Sequence, residues 1–166
     1  MQNINVFEHS EAILKTLSKG AFLTTAAGGR QNTMTIGWGA LGFMWGQPVF
    51  TVMVRQSRYT LELLEKNPVF TISVPVKEGF AKALGLCGTK SGRDIDKFAA
   101  ANLQALPAQT VDVPVIQGCG LHLECKVVDK STMQPQNFAQ ELTAKWYGDN
   151  NWHTYYTGII TAAYLE

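Results

Sequence analysis

Apolar residues recur along this chain in two rhythms. Ile13, Leu14 and Leu17 share one face of residues 10–18, and Gly20 follows as a stop, which predicts a short amphipathic helix. Ala21–Ala27 then reads as a strand, Gly28-Gly29 as a turn and Gln31–Trp38 as a second strand, with Thr33 and Thr35 alternating against Met34 and Ile36. Pro48–Val54 is apolar on both faces, as the interior of a barrel or sandwich demands. Ser57 opens a helix whose apolar side is Leu61, Leu63 and Leu64. Asn67-Pro68 ends it, because a residue before proline disfavours the α region. Val69–Val74 is a strand closed by Pro75, and Phe80–Leu86 a helix. Cys87–Gly92 reads as a polar loop, and Arg93 or Asp94 starts a further helix carrying Ile95, Phe98 and Leu103. Leu121–Val128 and Thr154–Tyr164 are the last strands, while residues 103–114 and 129–153 show no clear period. Strands clustered with short helices, and few βαβ alternations, predict a small, mainly β, mostly antiparallel barrel.

Composition narrows this picture. The 166 residues suit one domain, 1–166, large enough to need no metal or disulfide staple. Charged residues are 16%, against a typical ~25%, which points to a surface partly covered by a second copy of the chain. Fourteen basic and 13 acidic residues leave a formal charge of +1, with no electrostatic footprint for nucleic acid or an anionic membrane. Between Arg30 and Arg55 no charged residue occurs, yet Gly37, Gly39, Gly42, Gly46 and Pro48 break the run. Buried strands and glycine turns fit it better than a membrane span. Cys87, Cys119 and Cys125 form no CxxC and have no histidine at zinc spacing, so reduced thiols in the cytoplasm are expected.

The usual catalytic signatures are missing. There is no HExxH, no GxSxG and no Walker loop, and Gly37, Gly39 and Gly42 match a dinucleotide fingerprint in spacing alone. Three polar segments stand out instead. Arg55-Gln56-Ser57-Arg58-Tyr59-Thr60 joins an apolar strand to a helix start, where orphan N–H groups favour a phosphate. Ser57 and Thr60 add hydroxyls, and Arg58 adds a guanidinium. An ordinary serine cap with a solvated arginine has the same letters. Cys87 to Lys97 holds Gly88, Ser91, Gly92 and the cations Lys90, Arg93 and Lys97. It suits an anion nest, or simply a helix start capped by Ser91 or Asp94. Asn32-Thr33-Met34-Thr35 places an amide and hydroxyls among apolar residues. They pair with neighbouring strands or line a flat heterocycle, for which Trp38, Trp45, Tyr59, Trp146 and Trp152 offer aromatic surface.

Taken in order, these segments resemble the flavin reductase-like, FMN-binding split-barrel family, in particular its flavoredoxin branch. The resemblance rests on Asn32 to Gly39, Trp45 to Phe50, Val54 to Thr60, Cys87-Gly88 with Ser91 to Phe98, Glu124-Cys125 within Gly118 to Val128, and Tyr156 to Ile159. It covers the chain from about residue 10 to the end. It implies a homodimer of split β-barrels, each binding FMN non-covalently near the interface. The phosphate would meet Ser57, Arg58 and Thr60, with help from Ser91 and Lys97, and Arg55, Tyr59 and Gly92 would complete the cofactor-binding set. Asn32, Thr33, Met34 and Thr35 would line the ring and ribityl chain, with Trp38, Cys87 and Gly88 close by. Family members reduce flavin with NADH or NADPH as a transient co-substrate, hydride passing to the flavin N5, or carry electrons to a redox protein. The resemblance leaves open a non-catalytic flavin-binding dimer. No acid–base pair is expected, since hydride transfer between stacked rings needs none. Some related reductases use a histidine near the C-terminal strand. His153 is the local candidate, although its setting after Trp152 reads as a solvated loop.

Overall fold

The structure, a computed structural model, describes residues 1–166. Its core is an antiparallel sheet built largely from hairpins. Strand β1 (Gln2–Asn3) and a 3₁₀ turn lead into helix α1 (Ser10–Leu17). Strands β2 (Ala21–Ala27) and β3 (Arg30–Ile36) pair across Gly28-Gly29, both with positive φ (57° and 75°), as a two-residue hairpin requires. Strands β4 (Gly39–Met44) and β5 (Gln47–Arg55) form a second hairpin through Trp45-Gly46, whose φ values are 52° and 72°. Helix α2 (Tyr59–Lys66), strand β6 (Val69–Pro75), helices α3 (Ala81–Thr89) and α4 (Lys97–Ala100), and the short pair β7 (Ala105–Leu106) and β8 (Val115–Ile116) follow. Two 13-residue strands, β9 (Gly120–Thr132) and β10 (His153–Leu165), flank helix α5 (Gln140–Trp146).

The strand order is β3-β2-β6-β9-β10-β5-β4, with β1 beside β10. No ladder joins β3 to β4, so the barrel is split, as expected. Leu23, Met34, Ile36, Phe50, Val52, Val54, Phe70, Ile72, Val74 and Leu123 fill the interior, and Ile13 and Leu17 of α1 belong to the same cluster. Burying each such side chain contributes about 1.5–3 kcal/mol. Gly158 lets β10 pass the Phe70 ring: a Cβ there would lie 2.9 Å from that ring and 2.8 Å from Cys125. A second cluster, Phe22, Ala83, Cys87, Phe98, Ile116 and Cys119, seats α3 and α4 on the sheet. Met133, Tyr147 and Trp152 make a third, under the segment that carries α5. No helix is long and apolar enough to cross a membrane.

Several element boundaries differ from the sequence reading. The second strand stops at Ile36, and Gly39–Met44 is a separate edge strand. The helix after β5 starts at Tyr59, with Arg58 rather than Ser57 at its N-cap position. Helix α3 runs through Cys87 and Gly88 to Thr89, so the polar loop is shorter than expected. Helix α4 begins only at Lys97. Its cap is Asp96, which accepts from the N–H groups of Phe98 (2.9 Å) and Ala99 (3.2 Å), in place of Ser91 or Asp94.

Candidate flavin site

The cationic end of the site is assembled where β5 turns into α2. Arg58 donates its backbone N–H to Arg55 O (2.9 Å), tightening the turn, and no side chain caps the helix start. The first N–H groups of α2 therefore have no side-chain acceptor. Opposite lies the segment between α3 and α4. The two walls enclose an open concavity of about 440 Å³ that includes Asn32, Ser57, Arg58, Thr60, Ser91, Gly92 and Lys97. Arg58 Nη1 donates to Gly88 O at 3.1 Å, and Lys97 Nζ donates to Cys87 O at 2.9 Å. Both cations thus sit at the negative end of α3. Neither pairs with a carboxylate, whereas Arg93 does: its Nε donates to Glu62 at 2.9 Å. Lys97 is only 4% exposed. Burial holds its pKa below the ordinary lysine value, and the neighbouring Arg58 charge pushes the same way.

Asn32 forms the floor. It is 3% exposed, donates from Nδ2 to Thr60 Oγ1 at 2.9 Å, and leaves Oδ1 without a partner. A buried acceptor left unpaired costs about 1–3 kcal/mol. Gly92 closes over it: a Cβ at residue 92 would fall 2.0 Å from Asn32 Oδ1 and 3.0 Å from the Tyr59 ring. Only glycine allows that approach.

Met34 and Arg58 continue into a second concavity of about 420 Å³, shared with Thr35, Ile36, Gly37, Trp38, Met53, Arg55 and His153. Trp38, 40% exposed, meets Trp146 edge-on at 4.9 Å and lies 5.6 Å from the His153 ring. His153 is buried, and its Nδ1 is 2.8 Å from the Tyr147 hydroxyl. Burial, with smaller contributions from the Arg55 and Arg58 charges, lowers its pKa from 6.5 to about 4. It is neutral at physiological pH. Arg55 fixes the loop behind: Nη1 donates to Asn151 O (2.6 Å), Nη2 to Trp146 O (2.9 Å), and the guanidinium covers the Tyr147 ring at 5.2 Å. A cationic, hydroxyl-rich end thus runs into an aromatic, apolar one. No group of three or more His, Cys, Asp or Glu is placed to hold a metal.

Residues 14–165 match the family described as "Flavin reductase like domain". The chain belongs to this family. A protein of Archaeoglobus fulgidus with no assigned function is 30% identical over 121 residues, 72% of this chain and 67% of that one. The high molecular weight rubredoxin of Moorella thermoacetica is 30% identical over 89 residues, but the match spans only 39% of its length. Among solved structures, the flavoredoxin of Methanosarcina acetivorans superimposes with a TM-score of 0.69 at 28% identity, covering 89% of this chain and 68% of that one. An FMN-binding protein of Thermus thermophilus reaches 0.69 at 24% identity over 89% of this chain and 71% of that one, a likeness of fold.

Within this flavin reductase-like barrel, most residues singled out in the sequence converge. Asn32, Met34, Ser57, Arg58, Tyr59, Thr60, Ser91, Gly92 and Lys97 border the cationic end, and Thr35, Trp38 and Arg55 the aromatic end. Cys87 and Gly88 contribute carbonyls that hold Lys97 and Arg58, and the Cys87 side chain is buried in the second core. Thr33 borders neither concavity. Its hydroxyl accepts from Thr24 Oγ1 (3.1 Å) and donates to Leu23 O (3.3 Å). Thr35 also donates to Leu84 O at 2.7 Å, tying β3 to α3. His153 is no solvated loop residue: it is the first residue of β10 and lines the aromatic end. Met53 was missed. It alternates with buried Val52 and Val54 on β5, and that period-two pattern marks it as facing the other way.

Proposed function

We propose that this cleft holds FMN non-covalently, phosphate at the start of α2 and ring beside Trp38, and that the protein is an NAD(P)H-dependent flavin oxidoreductase. The observation that carries this reading is the pair Arg58 and Lys97: two cations without a carboxylate partner, one of them buried, at an uncapped helix start. A dianionic phosphate suits that setting. Met34, Met53 and Trp38 supply the apolar faces that a flat heterocycle needs. Bound there, FMN would supply the hydride and electron chemistry, with NADH or NADPH as transient co-substrate. Arg55 and Arg58 add positive charge at the ring end, and neutral His153 offers a hydrogen bond without a proton to give up. The partly exposed Trp38 leaves that end open to a second ring.

The likeness to flavoredoxin favours a second reading, an electron carrier that passes electrons to a redox protein. Anaerobic mixing separates the two. Rapid bleaching of the FMN-loaded protein by NADH or NADPH supports the oxidoreductase; slow bleaching with fast exchange to a redox protein supports the carrier. The reading also includes a homodimer. Phe43 and Trp45 are exposed at the β4–β5 tip, with Phe7 6.1 Å from the Phe43 ring, an apolar patch that a second copy would cover. The free, buried Cys87, Cys119 and Cys125 suit a reducing cytoplasm.

A further inference from the structure

The hydroxyl of Ser57 borders the cationic end, and its value to an anion depends on whether its proton is free to be donated. Both polar groups of Ser57 face the side chain of Asn151. The Ser57 N–H donates to Asn151 Oδ1 at 3.3 Å, and Asn151 Nδ2 donates to Ser57 Oγ at 2.8 Å. The polarity of this pair is forced. A backbone N–H only donates, so the amide must turn its oxygen toward it, and its NH₂ then meets Oγ. An NH₂ also only donates. Ser57 Oγ is therefore the acceptor, and its own proton is left for something else.

Asn151 is itself held firmly. Its N–H donates to Asp149 Oδ1 at 3.1 Å, and its carbonyl accepts from Arg55 Nη1 at 2.6 Å. The preceding Asn150 adopts φ 60° and accepts from Trp152 Nε1 at 2.9 Å, fixing the loop. Asn151 does not border the cationic concavity; it stands behind Ser57.

We propose that Asn151 is a positioning residue for anion recognition: it makes the Ser57 hydroxyl a dedicated donor toward the phosphate end, and so sets the preference for a phosphorylated over an unphosphorylated flavin. The proposal rests on the FMN reading above. It is tested by measuring dissociation constants for FMN and riboflavin, by quenching of flavin fluorescence, in the full chain and in Asn151→Ala and Asn151→Asp, with melting curves to confirm folding. Asn151→Ala should lower the FMN-over-riboflavin preference about 2- to 12-fold, the span expected for one ordinary hydrogen bond. Asn151→Asp should lower it more, because a carboxylate takes the Ser57 proton and adds negative charge. In a Ser57→Ala background, Asn151→Ala should leave the ratio where Ser57→Ala alone put it. A loop-holding role would instead weaken both flavins alike and leave the ratio intact, and that result overturns the proposal. A wild-type chain that binds riboflavin and FMN equally would overturn the FMN reading itself.

Discussion

Replacing Arg58 by alanine removes the cation that lies nearest both ends of the cleft. Its side chain makes one hydrogen bond within the protein, Nη1 to Gly88 O at 3.1 Å, and no ion pair. Losing that partly buried bond should cost about 0.5–1.5 kcal/mol of stability, a melting shift of about 1–6 °C for a chain of this size. The fold survives. The effect on ligand is larger. A charge-assisted bond to phosphate contributes about 1.5–3 kcal/mol, which corresponds to about a 12- to 140-fold weaker FMN complex. Riboflavin has no phosphate, so its affinity should fall by clearly less than that of FMN, only through what Arg58 contributes at the ring end. Arg58→Lys keeps the charge but loses the fork and should fall between. The assay is a fluorescence titration of each protein with both flavins at fixed ionic strength. Equal weakening of FMN and riboflavin, or no weakening of either, would refute the placement of the phosphate.

Lys97→Met should weaken FMN in the same direction but less, because the buried ammonium already donates to Cys87 O; a shifted melting point with unchanged FMN affinity would make Lys97 purely structural. Gly92→Ala must displace Asn32, since its Cβ would lie 2.0 Å from Oδ1, and should destabilise by about 1–3 kcal/mol while loosening FMN; calorimetry and the same titration check it. His153 gives a pH signature. Its folded pKa, about 4, lies below the ordinary 6.5, so the unfolded chain binds the extra proton between those values. Stability should be full above pH 6.5 and fall by about 1.4 kcal/mol per pH unit as pH drops toward 4, roughly 3 kcal/mol in all. Buried His122, whose pKa is also lowered, adds to the same slope, so the difference between wild type and His153→Gln isolates the effect. Denaturant curves at several pH values that keep the same difference would contradict the burial of His153.

The barrel strands were legible where burial imposed a pattern. Phe70–Val74 is buried on both faces, whereas in Pro48–Val54 buried Val52 and Val54 alternate with half-buried Thr51 and Met53; both segments proved to be internal strands. Gly39–Met44 was not legible as a strand. It is the sheet edge, half-exposed or exposed along its length, and Gly39 packs closely on Phe50 and Thr51 (a Cβ there would lie 3.0 Å from each). The β4–β5 turn hid because Trp45, a bulky residue, takes the positive φ that glycine or asparagine usually signals. At the cationic end, the concentration of hydroxyls and cations around residues 57–60 and 91–97 was enough, since each lies on a short local segment. The aromatic end draws on β3, β5, α5 and β10, and residues 129–153 fold around their own small core of Met133, Tyr147 and Trp152. Nothing in the local sequence says that such a segment carries Trp146 onto Trp38, or that it buries His153 beside Arg55.

The central claim is that a phosphorylated flavin occupies the cleft between the start of α2 and Trp38. Its most direct test is the visible absorption spectrum of the purified chain after soaking in excess FMN and removal of free ligand by gel filtration. The account predicts a yellow protein with about one flavin per chain and a band displaced from that of free FMN. A colourless protein that elutes without flavin would contradict it.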